Sequence, residues 1–372
     1  MSEHSDVIVI GAGFAGTCLS HALADLGLKV LLLDRRFDYP SLFRAEKIEA
    51  DQAEIMRQFG LLEFRTPCDP PIGQIRSYSA SSALETSVDT VEQYGIEYGA
   101  TVNRLIAELP SSVEQLQGKV AGFHGSPIRG VMMDDGSVRR GDLIVLATGG
   151  SDRLIEAAGM SRRVNPSLRS LSFGFDIEAV DAPFDFAGFN YNRGCNHELL
   201  DYLTIFPIGD RMRVNLFSQL DVKAPLVRTI KSDMVESLEH HFPALVDRIG
   251  KFRVSSKVQV VPTTFARLHR PWLSGVAAVG EEHQAVSPTT GTGLSRALND
   301  VAALVRHVKQ WHGSGPVEQA DLKAYYSDAR KVASDRQAAS AWMYYRSRHG
   351  PRGLSALLRD RLGDRLQLLN IR

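Results

Sequence analysis

The chain has 372 residues, 44% of them hydrophobic, and its 43 Lys plus Arg balance 43 Asp plus Glu. That length exceeds the usual single domain and predicts one large or two intimately joined domains around a substantial core. The balanced charge leaves no global field to draw the chain to nucleic acid or anionic lipid, so a nucleic-acid partner is not expected.

The first element is an apolar run, Val7 to Ile10, long enough for one buried parallel strand. It meets Gly11-Ala12-Gly13-Phe14-Ala15-Gly16, then a helical pattern with Ala15, Leu19, Ala22, Leu23 and Leu26 on one face, then a second run, Val30 to Leu33, that stops at Asp34. In that order these parts form a dinucleotide-binding fingerprint. Gly11 permits the tight turn, Gly13 admits a pyrophosphate, and Gly16 lets helix and strand pack closely, with Phe14 and Ala15 opening the helix beneath the phosphates. Asp34 falls where a carboxylate accepts from a ribose hydroxyl, and Arg35 follows it. The fingerprint does not choose between NAD and FAD.

A helix is expected from about Ala50 to Phe59, capped by Gly60. Pro67 to Gly73 reads as a linker, and strand-like runs follow at Ile75 to Ser79 and Ala83 to Val88. Tyr98, Val102, Leu105, Ile106 and Leu109 recur at helical spacing up to Pro110. Lys119 to Ala147 reads as a β-meander with a turn at Asp134-Asp135-Gly136-Ser137, and its last strand, Leu143 to Ala147, runs into Thr148-Gly149. Leu171, Phe173, Phe175 and Ile177 then alternate as on a half-buried antiparallel strand. Tyr202 to Ile208 and Arg211 to Phe217 flank a Gly209-Asp210 turn, a helix is expected over 226–242, and a strand over 257–261. Val276 to Val279 returns to the first sheet. An amphipathic helix follows, marked by Leu294, Ala297, Leu298, Val301, Leu304 and Val305, and the Arg-rich tail from Val317 reads as helical.

The three cysteines, Cys18, Cys68 and Cys195, are widely spaced and suit a reducing compartment. The strand pattern begins almost at the N-terminus, leaving no room for a signal peptide, and no apolar run approaches the roughly 18–20 residues of a membrane span. A cytoplasmic protein without a membrane span is the expectation. Gly-x-Ser-x-Gly, His-Glu-x-x-His and Cys-x-x-Cys are missing, so hydrolase and zinc readings have no support, and His240, His241 and His283 show no metal spacing.

The second informative stretch is Gly280-Glu281-Glu282-His283-Gln284 through Pro288-Thr289-Thr290-Gly291-Thr292-Gly293-Leu294 to Asp300. A strand end, an acid, a glycine-rich loop and a helix start make an anion site. Taken with the first motif, it resembles the class A flavoprotein monooxygenases, the para-hydroxybenzoate hydroxylase family. Gly280, Pro288, Gly291, Gly293, Ala297 and Asp300 match that family's late segment at the same spacing, while Glu281 replaces its Asp, Gln284 its His and Ser295 its Asn. The resemblance implies that Glu281 holds the ribityl chain of FAD and that the loop from Pro288 to Gly293 lies along the flavin's pyrimidine edge. There a helix N-terminus would stabilise the charge of the reduced ring by roughly 0.3–2 kcal/mol. Phe43-Arg44-Ala45 looks like the family's Arg-Ala, which implies a cofactor contact for Arg44 and places Lys47 beside the ring, where it could steer oxygen chemistry or bind an acidic substrate. Val120 falls where the family's strand passes the adenine.

One landmark departs. The family carries Asp-Gly where this chain has Thr148-Gly149, which removes a carboxylate linked to reduced nicotinamide. A further flavoprotein signature, the Gly-Trp-x-Trp-x-Ile-Pro run of the halogenases, is missing, and no second G-x-G-x-x-G follows a strand.

By resemblance the fold is α/β: a Rossmann-type FAD-binding domain (residues 1–70, 93–165 and 266–312), an interrupting antiparallel substrate sheet (71–92 and 166–265) and C-terminal helices (313–372). The implied reaction is insertion of one oxygen from O2 into a small, aromatic or hydrophobic substrate through a C4a-hydroperoxyflavin, with NADPH or NADH, or a separate flavin reductase, supplying electrons. Lys47 and Pro288 are the candidates beside the reacting ring. Phe173, Phe175, Tyr202, Phe206 and Phe217 are candidate pocket aromatics, and Tyr202, Thr204, Arg213 and Asn215 candidate polar contacts; alternation alone does not say which sheet face meets the flavin. Two alternatives stay open: an FAD-dependent reductase like the geranylgeranyl reductases, and a non-catalytic flavin-binding redox protein.

Overall fold

The computed structural model describes residues 4–44, 46–64, 71–79, 84–192, 199–311 and 313–347. Ala45, Cys68, Cys195 and the end of the Arg-rich tail lie outside the described residues. Two large sheets carry the chain. The first is built around His4–Ile10, which pairs in parallel with Val30–Asp34 on one side and Val138–Leu146 on the other. Val113–Gln117 and Val276–Ala278 extend it at its two sides, both parallel. Its central stretches, residues 7–10, 30–33 and 143–146, read as unbroken Val, Ile and Leu because both faces are covered. Val7 and Val9 pack under the helices Phe14–Ala24, Tyr98–Ala107 and Gly293–Trp311, while Ile8 and Ile10 pack with Leu31, Leu33, Val131 and Ile144 on the opposite side. The meander forms as expected from Val120–His124, Gly130–Met133 and Val138–Leu146. Val113–Gln117 is a strand that the sequence does not announce. Its polar residues hide the pattern, and the edge of Val30–Asp34 supplies its partner.

The second sheet runs in the order Gln284–Ala285, Gln259–His269, Ser161–Ala179, Arg211–Ser218, Leu200–Ile208, Gly188–Asn192, Gln74–Ser79 and Leu84–Thr90. Its hairpin is the expected one, with Tyr202 opposite Phe217 and Thr204 opposite Asn215. Three expectations need correction. The helix expected over 226–242 is two, Pro225–Ser232 and Met234–His241, because Asp233 is extended at φ −141° and its carboxylate caps the second through Glu236 N–H. The strand expected over 257–261 is Gln259–His269. Its polar Thr263, Thr264 and Arg267 break the apolar pattern, yet the 19-residue strand Ser161–Ala179 keeps pairing with it past a bulge. Third, Phe173 and Phe175 do not line a pocket. With Leu171, Ile177, Leu203, Val214 and Leu216 they form a core under the helices Pro225–Ser232, Met234–His241 and Leu245–Ile249.

The alternate residues, Ser170, Ser172, Gly174 and Asp176 with Tyr202, Thr204, Phe206, Arg213, Asn215 and Phe217, therefore occupy the other face. That face meets the dinucleotide-binding part of the chain. Phe43 lies against Gly174, where any Cβ would stand 2.5 Å from its ring, and Phe43 N–H donates to Gln259 Oε1 at 3.1 Å. The helices Gln319–Tyr326 and Ala329–Ser347 close the far end: Tyr326 Oη accepts from Ala278 N–H at 2.8 Å, and Tyr325 Oη donates to Ala278 O at 3.3 Å.

Candidate active site

The first three glycines are required for different reasons. Gly11 has φ +113°, and a Cβ there would stand 2.5 Å from Ala147 O; a Cβ on Gly16 would stand 1.9 Å from Gly11 O. Both are fixed by protein packing. At Gly13 the nearest atoms to a Cβ are Tyr39 Oη at 3.5 Å and Tyr98 Oη at 3.9 Å, so its lack of a side chain leaves open surface overlooked by two hydroxyls. The helix that starts there, Phe14–Ala24, has no side-chain cap. Phe14 N–H is 3.4 Å from Tyr98 Oη, and the N–H groups of Ala15 and Gly16 remain for an anion. Asp34 stands beside this turn: its carboxylate accepts from Ala12 N–H at 2.6 Å and Arg36 N–H at 3.2 Å and keeps lone pairs for a sugar hydroxyl. Arg35 is exposed next to it. Gly118 N–H donates to Asp34 O at 2.8 Å, which brings buried Val120 to the same end, with its carbonyl accepting from the Arg153 guanidinium.

Further along the same line, Arg44 Nη1 lies 3.1 Å from Glu281 Oε2. Gly149 sits between them, its Cβ position 3.7 Å from Arg44 Nη1 and 4.0 Å from Glu281 Oε2. Glu281 is half exposed, whereas its neighbour Glu282 is fully buried and organises the floor. Glu282 Oε2 accepts from Thr148 Oγ1 at 2.5 Å, Gly150 N–H at 2.8 Å and Ser151 N–H at 3.2 Å, and Oε1 pairs with Arg162 Nη2 at 2.9 Å. Sequence reasoning missed Glu282 and Arg162. The only signal was an acidic doublet at a strand end, and the one-turn helix Gly280–Glu282 aims its two carboxylates in different directions. Gly280 N–H donates to Asp300 Oδ2 at 2.8 Å, tying this turn to the late helix.

The loop before that helix is a single 3-10 turn, Pro288–Thr290, capped by Ser287 and ended by Gly291 at φ +66°. The Thr290 and Thr292 hydroxyls lie 2.6 Å apart, Gly293 begins the helix and Leu294 is buried under it. A Cβ on Gly291 would be 3.6 Å from Glu49 Oε1, which pairs with Lys47 Nζ at 3.3 Å. Lys47 Nζ also stands 5.8 Å from the Phe206 ring centre. Asp34 stands beside the glycine turn, Arg44, Gly149 and Glu281 meet one another, and Lys47 and Gly291 meet at Glu49 under the loop above the sheet. Their chemistry fits FAD: an acceptor for ribose, N–H groups and hydroxyls for pyrophosphate, and a helix N-terminus where the ring would lie.

Beneath that loop, Tyr202 Oη donates to Thr289 O at 2.7 Å, and its ring lies 4.8 Å from Phe217. Thr204 is buried on the same face. Arg213 is engaged on both sides: Nη1 donates to Glu46 Oε1 at 2.5 Å and Nε to Asp176 Oδ1 at 2.6 Å. Arg211 reaches Asp176 from the rim at 3.2 Å. Asn215, with its amide nitrogen toward Glu46, donates to Oε2 at 3.2 Å. Burial, reinforced by the Asp176 carboxylate, pushes the Glu46 carboxyl up to about 8 against the pull of Arg213. Glu46 was also missed, since a lone Glu in a polar loop carries no pattern.

Behind the site lies a second buried network. His283, Asp300 and Asp335 converge as metal ligands would, but the Lys331 ammonium stands among them, 2.9 Å from His283 Nδ1, 2.5 Å from Asp300 and 3.1 Å from Asp335. Arg296 adds a 2.7 Å bond to Asp335 and one of 2.5 Å to Gln284 O. Burial, with Lys331 and Arg296 alongside, holds the His283 imidazole well below its ordinary pKa, so neutral Nδ1 accepts from the ammonium.

Fold and site together define a dinucleotide-binding α/β chain whose cofactor line ends over an antiparallel sheet. Residues 4–93 match the model of the FAD binding domain family. Ubiquinone hydroxylase UbiL of Rhodospirillum rubrum is 24% identical over 329 residues, 82% of this chain and 72% of that protein. Digeranylgeranylglycerophospholipid reductase 1 of Methanococcoides burtonii is 22% identical over 84% of this chain and 81% of its own. The crystal structure of p-nitrophenol 4-monooxygenase PnpA from Pseudomonas putida DLL-E4 superposes with a TM-score of 0.72 at 16% identity, covering 96% of this chain and 93% of that one. The resemblance carried by the motifs and the fold agree. The chain has an FAD binding domain and the fold of the class A FAD-dependent monooxygenases, which are oxidoreductases. Among the described residues no helix is long and apolar enough to cross a membrane.

Proposed function

We propose that this protein is an FAD-dependent monooxygenase that adds one oxygen atom from O2 to a small, hydrophobic or aromatic substrate. The observation that carries the reading is the line from Asp34 to Gly293, which ends over a sheet face bearing Tyr202, Phe206 and Phe217. FAD supplies the oxygen-activating chemistry when bound, and the chain supplies grip, orientation and dryness. Gly13 and the first turn of Phe14–Ala24 receive the pyrophosphate, with the Tyr39 and Tyr98 hydroxyls beside it. Arg44 and Glu281 hold the middle of the cofactor, and the N-terminus of Gly293–Trp311 stabilises negative charge on the ring. Lys47, its charge compensated by Glu49, would face the ring, Pro288 shapes the turn over the sheet, and Val120 would flank the adenine.

A reductase is the second reading, favoured by Thr148 in place of the family's carboxylate and by the likeness to a lipid reductase. NADH, NADPH or a separate flavin reductase would be the electron source in either case. The test is to reduce the FAD-loaded protein anaerobically with NADH, with NADPH and by light, then admit O2 with a panel of phenols and quinones. Oxygenated product supports the monooxygenase; saturation of a substrate double bond without oxygen uptake would establish the reductase.

A further inference from the structure

Glu281 and Glu282 form an acidic doublet on the one-turn helix Gly280–Glu282, and only Glu281 faces Arg44. Either carboxylate has the chemistry for that place. A single 3-10 turn has no continuing ladder of backbone bonds to fix its rotation. What surrounds the turn must therefore decide which side chain meets Arg44.

Glu282 accepts four hydrogen bonds. Thr148 Oγ1, Gly150 N–H and Ser151 N–H donate to its Oε2, and Arg162 Nη2 donates to its Oε1. Arg162 is oriented in turn: its Nε lies 3.1 Å from Asp152 Oδ1, and its Nη1 donates to Glu281 O at 3.3 Å. One guanidinium thus grips the side chain of one member of the doublet and the main chain of the other. The stretch that donates to Glu282 also carries Gly149, whose Cβ position borders both Arg44 Nη1 and Glu281 Oε2. At the far edge of the turn, Asp300 holds Gly280 N–H and Arg296 Nη1 reaches Gly280 O at 3.4 Å.

The Glu282 and Arg162 side chains are sealed from water, at 0% and 7% exposure, so their part is indirect. A buried ion pair is a poor source of stability, because neutral residues of similar shape replace it at little cost. Its best-attested use is to fix register. With Glu282 committed to Arg162, Glu281 alone is left for Arg44.

We propose that Arg162 and Glu282 are a positioning pair that locks the register of the acidic doublet, committing Glu282 to the floor and so aiming Glu281, with Arg44, at the middle of the cofactor. This rests on the flavoprotein reading above and adds two positioning residues to it. It also gives Thr148 a part: its hydroxyl is a donor for the carboxylate that arrives from the late turn.

The experiment measures FAD affinity of the apoprotein by flavin fluorescence, and its urea unfolding midpoint, for Arg162→Met/Glu282→Gln, for Glu281→Ala and for all three substitutions together. The double variant should unfold near the wild-type midpoint, because it leaves no charge buried alone. It should nevertheless bind FAD roughly tenfold more weakly, the worth of one charge-assisted hydrogen bond misplaced. Added to Glu281→Ala, the same pair should cost less than about threefold, because the residue it aims is gone. A loss below about threefold in the double variant, or a loss of the same size in the Glu281→Ala background, overturns the assignment. If the double variant does not fold, Thr148→Val, which removes one of the four donors to Glu282, carries the same comparison. Weakened FAD binding that disappears in the Glu281→Ala background supports the lock; no loss, or equal loss in both backgrounds, overturns it. A wild-type protein that never takes up FAD refutes the flavoprotein reading itself.

Discussion

Glu46 offers the sharpest physical test. In the unfolded chain its carboxyl titrates near 4.5, and in the folded protein it is held up at about 8. Between those values the folded state keeps a proton that the unfolded state has lost, so the unfolded chain binds fewer protons and stability must fall as pH rises. The slope is about 1.36 kcal/mol per pH unit at most, and its integral over the window is on the order of a few kcal/mol. The contribution is fully present below about pH 4.5, is lost progressively up to about pH 8, and is flat above. Glu46→Gln keeps the shape and the bond from Arg213 but cannot titrate. Urea unfolding of both proteins, at fixed FAD across this window, should show the wild type losing stability relative to the variant as pH rises. If the two run parallel, or if the wild type gains on the variant toward pH 8, the carboxyl is ionised against Arg213 at 2.5 Å and the reasoning fails. In that case Glu46→Gln would instead cost about 3–5 kcal/mol at neutral pH, as breaking a buried ion pair does.

Other outcomes can be checked together. Gly13→Ala should leave the protein folded, since its Cβ would find 3.5 Å of clearance, but should release FAD; retained yellow colour after gel filtration would refute that. Gly16→Ala, with a Cβ 1.9 Å from Gly11 O, should lower stability by about 1–3 kcal/mol or more and lose FAD as a consequence, visible as a lowered unfolding midpoint. Glu281→Ala removes a half-exposed partner of Arg44 and should shift stability by less than about 1 kcal/mol while weakening FAD in a fluorescence titration; unchanged flavin affinity would mean the late motif is misread. Lys331→Met leaves the buried Asp300 and Asp335 carboxylates to share Arg296 as their remaining close cation and should cost about 3–5 kcal/mol in denaturant unfolding.

Why were the glycines and the late loop legible, and the carboxylates not? The first strand, turn and helix are local. Gly16 is fixed by Gly11 O of the same turn and Gly291 by the turn it ends, whereas Gly11, left-handed at φ +113°, is also pressed by Ala147 O from a strand far along the chain. Apolar runs such as Val7 to Ile10 and Leu143 to Leu146 announce a doubly covered parallel sheet because burial on both faces removes alternation. Spacing yielded the α/β class and the dinucleotide fingerprint up to Asp34, and the resemblance to the class A monooxygenases implied the rest of the line, from Arg44 to Gly293. The sequence could not rank the two faces of the antiparallel sheet, since apolar residues occur on both. Only the docking of Phe43 against Gly174, and of the helices against Phe173 and Phe175, decides which face meets the loop. Nor could it pair Glu46 with Arg213, 167 residues apart, or Glu282 with Thr148, 134 residues apart. A charged side chain far from its partner in sequence carries no periodic signature, and whether it is a solvated surface group or a buried node depends on which elements pack over it. The sequence alone carried the dinucleotide fingerprint near one end of the chain and the glycine-rich late loop near the other. Tertiary packing decided that Glu282 rather than Glu281 is the buried node and that Arg213 is held between Glu46 and Asp176.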